Sequence, residues 1–448
     1  MKAEELISLD LKHVWHPCSQ MKDYQTLPPI AVEKASGSFL YTKDGKAVID
    51  AISSWWCKGI GHAHPRIKKA VTAQMEKFEH VIMANTCNET LAELSRRLSE
   101  LCPSLDKVFY ADNGSTSVEI AMKMSLQYHA QTGNPDKKDF ASLVNGYHGE
   151  SILALAAGDC GLYSEPFEKQ LPHSLKLGPF EHISGMKSEG WKKFPEEQWR
   201  DIERHLNLDA SYLAAIIFEP VLQGAGAMKI YSPELLKKLR KWATENNVHL
   251  IADEIMTGFG RTGKMLACEH AAIVPDFLLL SKCLTAGWGP MSAVLCTDKI
   301  YNAFYADYDT GKSFLHSNTF AGYALAAAAA LETLKIYEEE NIIDNIEKRS
   351  SGLLKRMQYV ADETKALANV RGVGFMAAAD IVNPASGAPY CAGLRKGFEF
   401  FRNAMDMGAF LRPIGDTVYF LPPFNTDENI LDDLAEITVR ALRKTTLK

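Results

Sequence analysis

Two short apolar runs near the middle of the chain constrain its fold more than any other feature. They are Val248–Ala252 and Phe277–Leu280, and each has the length typical of a strand buried in a parallel sheet. Asp253 follows the first run directly, and Lys282 stands two residues beyond the second. Because ligands of open α/β sheets bind beyond the carboxyl ends of the strands, an acid and an amine are predicted at one edge of a sheet.

This pair of side chains suits the chemistry of pyridoxal phosphate (PLP). A lysine amine forms a Schiff base with the PLP aldehyde, and a carboxylate keeps the pyridine nitrogen protonated so that the ring accepts electrons. Two structural alternatives stay open from these residues alone. An aspartate after a strand often caps a helix, and a lysine in that place is usually solvated.

A strand–turn–helix junction earlier in the chain is predicted to bind a single phosphate. The strand Lys107–Ala111 is followed by a polar turn and then by a helix over Val118–Ala130. Gly114 in the turn lets the backbone approach a ligand, and the free N–H groups of a helix start attract anions. Simple capping of the helix is the alternative. The junction lacks both a Walker lysine and a GxGxxG motif, so it does not indicate a nucleotide.

Other candidate residues also follow predicted strands. Tyr147 lies between two glycines after the strand Asp139–Val144, where an aromatic ring stacks on a flat cofactor or plugs a loop. Glu219 closes the apolar strand Tyr212–Phe218. Arg412, enclosed by apolar neighbours, is predicted to be ion-paired or to bind a carboxylate.

Composition narrows the class of protein. The net charge of −6 argues against general nucleic-acid binding, and nine cysteines without a CxxC pair indicate a reducing compartment rather than a disulfide framework. His62 and His64 lack companion ligands, so no metal site is predicted. No signal peptide is visible, and the apolar segment Ala321–Leu331 is too short to span a bilayer. These features predict a soluble cytoplasmic enzyme without a membrane partner.

The segment 258–263, GFGRTG, literally matches the dinucleotide motif GxGxxG. In a dinucleotide site the first glycine directly follows the strand and opens a long amphipathic helix. Here Asp253–Thr257 intervene, and Lys264–His270 is too short for such a helix. An NAD(P)-dependent oxidoreductase therefore stays as the rival class of enzyme.

Three further expectations concern secondary structure. A capping box over Thr86–Glu89 predicts the start of a helix. The segment Gly161–Leu206 shows no clear period and is predicted to form excursion loops. Helices and strands alternate in the last third of the chain, which indicates a smaller α+β unit.

Together these pieces resemble the class III aminotransferases of PLP fold type I over essentially the whole length of the chain. The resemblance is carried by the segments WHPCSQM, SSWW, ADNGS, NGYHG, EPVLQGAG, ADEIMTGFGRTGK, LLLSKCLTAG and LRPIG…YFLPP. SSWW and LRPIG favour the biotin-biosynthesis branch of the class over ornithine or 4-aminobutyrate aminotransferases. The implied α/β fold is a large domain with a mostly parallel seven-stranded sheet, over 71–329, and a smaller α+β domain formed by 1–70 and 330–448.

The resemblance also implies roles for individual residues. Lys282 is expected to form the Schiff base and to carry the proton, while Asp253 pairs with the pyridine nitrogen. The remaining expected contacts involve the cofactor or the substrate: Gly114, Ser115, Asn318 and Thr319 for the phosphate, the last two from a second subunit; Tyr147 for the ring and the substrate; Cys18, Trp55, Trp56, Ser317 and Arg412 for the substrate; and Glu219 and Arg261 in supporting positions.

The implied reaction is a ping-pong transamination in a homodimer with shared active sites. Four positions depart from the pattern of the relatives that use S-adenosylmethionine as amino donor. Cys18 replaces a tyrosine, Ser317-Asn318 replaces Gly-Pro, and Glu150 replaces an aspartate. Adenosylmethionine is the default donor for the family, and lysine is the competing one.

Overall fold

Helices and strands alternate along most of the chain in the computed structural model, which describes residues 1–446. The helices are Ala3–His13, Pro65–Met75, Glu89–Leu101, Gly114–Gln131, Ile152–Ala157, Glu196–Asp209, Pro233–Glu245, Asp298–Phe304, Ala324–Glu339, Ile342–Thr364, Lys396–Asp406 and Glu428–Thr446. The strands are β1 (Val32–Ser36), β2 (Phe39–Thr42), β3 (Ala47–Asp50), β4 (Lys107–Ala111), β5 (Asp139–Leu143), β6 (Ser174–Leu177), β7 (Leu213–Phe218), β8 (Leu222–Gln223), β9 (Lys229–Ile230), β10 (His249–Asp253), β11 (Phe277–Leu280), β12 (Ser292–Cys296), β13 (Leu367–Val373), β14 (Met376–Ile381), β15 (Ala409–Phe410) and β16 (Thr417–Phe420).

The largest sheet has seven strands in the order β4-β12-β11-β10-β7-β5-β6. Neighbouring strands are parallel except at β12, which is antiparallel to both β11 and β4. Every residue of β7, β10 and β11 is buried, as expected for the apolar central strands of a covered sheet. The predicted mostly parallel seven-stranded sheet is confirmed.

The helix Gly114–Gln131 packs on this sheet through its apolar side. Val118 and Ala121 belong to one buried cluster with Leu279 of β11 and Val294 of β12. Polar Ser125 is also buried and donates to the carbonyl of Ala214 at 3.2 Å. This packing fixes the direction of the helix, and therefore the place where its amino end stands relative to the strand ends.

The described chain forms two compact units. The larger comprises Pro65–Ser351 and Arg371–Met376, and the smaller comprises Met1–His64, Gly352–Val370 and the residues from Ala377 onward. The chain thus changes unit at 64/65, 351/352, 370/371 and 376/377, whereas the sequence predicted boundaries at 70/71 and 329/330. The assignment of the predicted segments to functional domains stays a prediction.

A left-handed turn, Ser53–Trp56, stands out in the smaller unit. Its four residues have φ angles of 51°, 45°, 67° and 73°, which residues with a Cβ atom rarely adopt. Buried Asp50 holds the turn by accepting hydrogen bonds from the Ser54 amide at 2.9 Å and from its hydroxyl at 2.7 Å. His62 Nε2 contacts the same carboxylate at 2.8 Å, so the strained turn is fixed on one side by a polar network.

Two predictions about secondary structure were wrong. The segment Gly161–Leu206 contains strand β6 at the sheet edge and most of the helix Glu196–Asp209, not loops alone. The helix Glu89–Leu101 is capped by Asn88, whose side chain accepts from the Leu91 amide, rather than by Thr86.

Within residues 1–446, no helix is long and apolar enough to cross a membrane. In the same part of the chain, no group of three His, Cys, Asp or Glu side chains is placed to hold a metal ion.

Candidate active site

Asp253 and Lys282 are delivered by neighbouring parallel strands. Asp253 is the last residue of β10 and pairs with Leu279 of β11. Lys282 follows Leu279 by three residues and begins a 3-10 turn, Lys282–Thr285, with a φ angle of 41°. The register therefore places both residues at the carboxyl edge of the same two strands, which is where the sequence predicted them.

Buried His148 holds the Asp253 carboxylate. Its Nδ1 lies 2.8 Å from Asp253 Oδ2, while Oδ1 accepts the Ile255 amide at 3.2 Å. Both side chains are almost completely buried, so this hydrogen bond fixes the direction of the carboxylate. His148 is not among the residues predicted from the sequence, although it stands beside Tyr147 in the loop after β5.

Glu219 forms a second layer of this network. Its Oε1 accepts the Tyr147 amide at 3.0 Å and its Oε2 accepts the Gly224 amide at 2.9 Å. Burial, helped by the nearby Asp253 carboxylate, raises the pKa of Glu219 to about 7, although the His148 charge acts in the opposite direction. Glu219 therefore orders the loop that carries Tyr147 and His148.

Tyr147 is half-buried and held at both ends. Besides the amide bond to Glu219, its hydroxyl donates to Glu150 Oε1 at 2.9 Å. Its ring lies edge-on to Tyr163, with 5.7 Å between the ring centres. Glu150, one of the departures from the family pattern, thus contacts the aromatic side chain that the resemblance assigns to the cofactor ring.

The amino end of the helix Gly114–Gln131 is built to hold an anion. Asn113 caps it by accepting the Thr116 amide at 3.0 Å, and the amides of Gly114 and Ser115 precede the first helical hydrogen bond. The Ser115 hydroxyl accepts the Ser151 amide at 3.0 Å, which ties the loop after β5 to this helix start. A Cβ atom on Gly114 would approach Ile255 Cδ1 to 2.9 Å, so the glycine lets the helix start pack against the residue that follows the Asp253–Glu254 pair.

These features fit PLP. A buried carboxylate held by an imidazole suits a protonated pyridine nitrogen, and an open helix start suits the single phosphate. His148 Nε2 is buried without a hydrogen-bond partner among residues 1–446. This atom, beside Asp253, can therefore still form a hydrogen bond. Lys282, Asp253, Tyr147 and the helix start of Gly114 and Ser115 would hold the group.

The loop with Ser317, Asn318 and Thr319 runs along the same helix in the larger unit. Lys123 Nζ lies 3.0 Å from His316 Nδ1, and Gln127 donates to the Lys312 carbonyl at 3.1 Å. Asn318 Oδ1 is buried and has no hydrogen-bond partner in the described part of the chain. The expected contact of this loop with a phosphate on a second subunit stays a prediction.

The smaller unit brings together three of the residues expected to bind substrate. Cys18, Trp55 and Arg412 line one cavity of about 610 Å³. The Arg412 guanidinium lies over the Trp55 ring, 5.0 Å from its centre, and its Nη2 donates to the Cys18 carbonyl. Trp56 does not line this cavity. It is buried, and its indole N–H donates to the Tyr419 hydroxyl at 3.1 Å.

The glycine-rich segment 258–263 has a structural role. It forms turns and is followed by a short 3-10 helix, Ala267–Ala271, instead of the long helix of a dinucleotide site. Arg261 within it is completely buried and donates to the Phe375 carbonyl at 3.5 Å. The rival prediction of a nicotinamide site therefore lacks its structural context.

Comparisons with known proteins show which family the chain resembles. The family model "Aminotransferase class-III" matches residues 20–442. A protein of Helicobacter pylori named adenosylmethionine-8-amino-7-oxononanoate aminotransferase is 38% identical over 94% of each chain. A protein of Aquifex aeolicus with the same name is 33% identical over 97% of each chain.

Solved structures give the same picture. The structure of adenosylmethionine-8-amino-7-oxononanoate aminotransferase from Methanocaldococcus jannaschii has a TM-score of 0.90 and 31% identity, covering 98% of this chain and 99% of that one. An omega transaminase from Pseudomonas jessenii in complex with PMP has a TM-score of 0.91 and 29% identity, covering 99% and 98%. The chain belongs to the class III aminotransferases, which are PLP-dependent enzymes.

Proposed function

We propose that this aminotransferase converts 8-amino-7-oxononanoate to 7,8-diaminononanoate in biotin biosynthesis, with S-adenosylmethionine as amino donor. The observation that carries the proposal is the shared name of full-length relatives at 31–38% identity, from bacteria and an archaeon. SSWW and LRPIG in this chain support the same choice.

The reaction proceeds in two halves. An amino donor first leaves its amine on the enzyme and departs as a keto acid, and the ketone of 8-amino-7-oxononanoate then takes the amine. Bound PLP supplies an electron-withdrawing ring that stabilises negative charge on the carbon next to the reacting nitrogen. Lys282 Nζ carries the proton to and from that carbon as general base and acid. Asp253, oriented by His148, holds the proton on the ring nitrogen.

Substrate selection is assigned to the smaller unit. Arg412 binds the carboxylate of the long oxo acid, because its planar fork grips a carboxylate at two points. Trp55 supplies an apolar wall for the methylene chain. Cys18 stands where a tyrosine is common among adenosylmethionine users, so lysine is kept as the alternative donor.

A second candidate is another ω-amino acid transamination. It is favoured by one observation: omega transaminases of Pseudomonas jessenii match this chain with a TM-score of 0.91, as closely as the Methanocaldococcus enzyme does at 0.90. Their identity is lower, at 29% against 31%, so the sequence favours the biotin reaction.

The proposal includes a cytoplasmic homodimer in which Asn318 and Thr319 of one subunit complete the phosphate site of the other. Obligatory pairing would follow, since each site needs residues of both copies. The large exposed apolar side chains Tyr305, Tyr308 and Leu315 near this loop support an interface there.

The test is a screen of donors and acceptors with the purified PLP-loaded enzyme. Adenosylmethionine or lysine is added alone, and loss of the visible absorption band reports the first half-reaction. Addition of 8-amino-7-oxononanoate should then restore the band and give 7,8-diaminononanoate, identified by mass spectrometry. Turnover of ornithine, 4-aminobutyrate or β-alanine, with none of the oxo acid, would instead establish the second candidate.

A further inference from the structure

One wall of the cavity in the smaller unit is an N-terminal segment, residues 14–30, called here the strap. Residues 16–20 belong to this wall, and so do the side chains of Asp23 and Tyr24. The facing wall comes from the segment 392–416 and includes Arg395, Phe398 and Arg412. The cavity is therefore closed by two stretches that lie far apart in sequence.

Apolar burial does not hold the strap. None of residues 1–30, all of which the structure describes, is buried. Within the strap itself, residues 14–30, the one helical element is the 3-10 turn Met21–Gln25. A segment without core residues is expected to depend on specific polar contacts for its position.

The strongest such contact joins Asp23 to Arg395. Arg395 Nη1 donates to Asp23 Oδ1 at 2.9 Å, and Nη2 donates to Oδ2 at 2.6 Å. The guanidinium also lies over the Phe398 ring, 4.6 Å from its centre. A two-point arginine–carboxylate contact is the geometry in which a partly exposed ion pair is most effective, and the Arg395 bond lowers the pKa of Asp23.

The second contact leads from the strap to the proposed carboxylate-binding arginine. Arg412 Nη2 donates to the carbonyl of Cys18, while the guanidinium rests on the Trp55 ring. The φ angle of Cys18 is 48°, so the carbonyl is presented by an unusual backbone conformation. Nη2 carries two hydrogens, and the rest of the fork can still donate to a bound carboxylate.

From these two contacts we propose that Asp23 and Arg395 are positioning residues for carboxylate binding. Their ion pair fixes the strap, the strap presents the Cys18 carbonyl, and that carbonyl orients Arg412 toward the substrate carboxylate. The proposal rests on the proposed function, which assigns Arg412 to the carboxylate. It also explains how a cysteine serves at position 18, because the main chain of that residue makes the contact.

The test reverses the charges singly and together. Asp23→Arg and Arg395→Asp each remove the pair, and the double variant restores it with the partners exchanged. Arg443→Glu is the matched control, because Arg443 Nη2 contacts Glu363 at 2.9 Å in another exposed pair of the same unit and does not line the cavity. Thermal unfolding of all four variants checks that each is folded.

The first measurement is steady-state kinetics with 8-amino-7-oxononanoate. Each single variant should raise KM about tenfold with kcat nearly unchanged, because orientation of the carboxylate contact is lost while the chemistry is intact. The double variant should return KM to about the wild-type value, and Arg443→Glu should leave both constants unchanged.

The second measurement needs no turnover, so it decides the proposal even if the oxo acid is not the substrate. Hydrogen exchange of residues 14–30 is followed with and without nonanoate, with nonanamide as the uncharged control. Nonanoate should slow exchange of the strap in the wild type and in the double variant, but not in either single variant. An unchanged KM in the single variants, a double variant as impaired as they are, or equal protection by nonanamide would each overturn the proposal.

Discussion

At the scale of single residues, the sequence predicted the positions of Asp253 and Lys282 but not that of the histidine beside them. The positions of Asp253 and Lys282 could be predicted because each residue follows an apolar strand, and that pattern can be read without knowing the fold. His148 was missed because its partner, Asp253, lies on β10 while His148 follows β5, with β7 between them in the sheet. Only the order of the strands shows that these two ends converge.

The role of His148 can be tested by comparing two amides. Asn in its place keeps a donor near the position of Nδ1, whereas Gln places its amide near Nε2 and leaves Asp253 Oδ2 without this partner. His148→Gln should therefore weaken PLP binding about tenfold to a hundredfold, since a hydrogen bond to a buried charge is lost. His148→Asn should retain most of the affinity, measured by titrating the cofactor-free enzyme with PLP. Equal losses in both variants would mean that the imidazole acts by its shape alone.

Lys282 offers a more direct test. Lys282→Ala should lower kcat by about a hundredfold to ten-thousandfold, as expected when the general base is removed. Mass spectrometry after borohydride treatment should find PLP fixed to Lys282 in the wild type and to no residue in the variant. Attachment at another lysine would remove the basis of the site described above.

At the scale of elements, one helix and one strand were expected to be loops, and both have a hydrophobic pattern that is hard to recognise in the sequence. The helix Glu196–Asp209 buries only Trp199, Ile202 and Leu206 on one side, and a long irregular stretch hides that period. Strand β6 has four residues and a partly exposed pattern at the sheet edge, so no apolar run marks it. The central strands β7, β10 and β11 are fully buried, and the sequence predicted each to within about one residue.

The contact between the helix Gly114–Gln131 and β10 predicts a pH dependence of stability. His129 on the helix and His249 on β10 are buried, with 4.6 Å between their ring centres. Burial lowers the pKa of His129 from 6.5 to about 4 and that of His249 well below 6.5. The unfolded chain therefore binds more protons than the folded one between about pH 4 and 6.5, and stability falls as the pH falls through this range.

His129→Gln isolates this effect, since glutamine can still donate to the Ala214 carbonyl that His129 Nε2 contacts at 3.0 Å. Glu219 and Glu254, whose pKa values are raised to about 7 by burial, contribute the opposite slope in both proteins. The stability difference between wild type and variant should shift by about 3 kcal/mol in favour of the variant between pH 6.5 and 4. Thermal midpoints across this range check it; parallel curves would show that His129 does not titrate.

At the scale of the whole molecule, the family and the sheet follow from motifs spread along the chain, but the assembly does not. SSWW and LRPIG in the smaller unit, and ADEIMTGFGRTGK in the larger, identify one family although they lie in separate units. Contacts between subunits are harder to predict from sequence. An interface residue must fit the folded surface of the partner, and the residues around it in the sequence do not specify that surface.

Complementation tests the shared site. Lys282→Ala and Thr319→Ala homodimers should both be impaired if Thr319 serves the partner's phosphate. After subunit exchange, half of the dimers carry one variant of each kind, and one of their two sites has both native residues. The mixture should regain about a quarter of the wild-type activity. No recovery, despite exchange verified by native mass spectrometry, would place Thr319 in the site of its own subunit.

The left-handed turn Ser53–Trp56 has a consequence for engineering this enzyme. Four successive residues with positive φ are each disfavoured by about 1 kcal/mol, yet this turn presents Trp55 to the cavity. Directed evolution for heat tolerance should therefore favour glycine at Trp55, the most exposed of the four, because the strain is removed there without emptying the core. Glycine at buried Trp56 would cost more than the strain it relieves. Selection for catalytic selectivity should oppose glycine at Trp55, since the indole surface that faces the ligand would be lost.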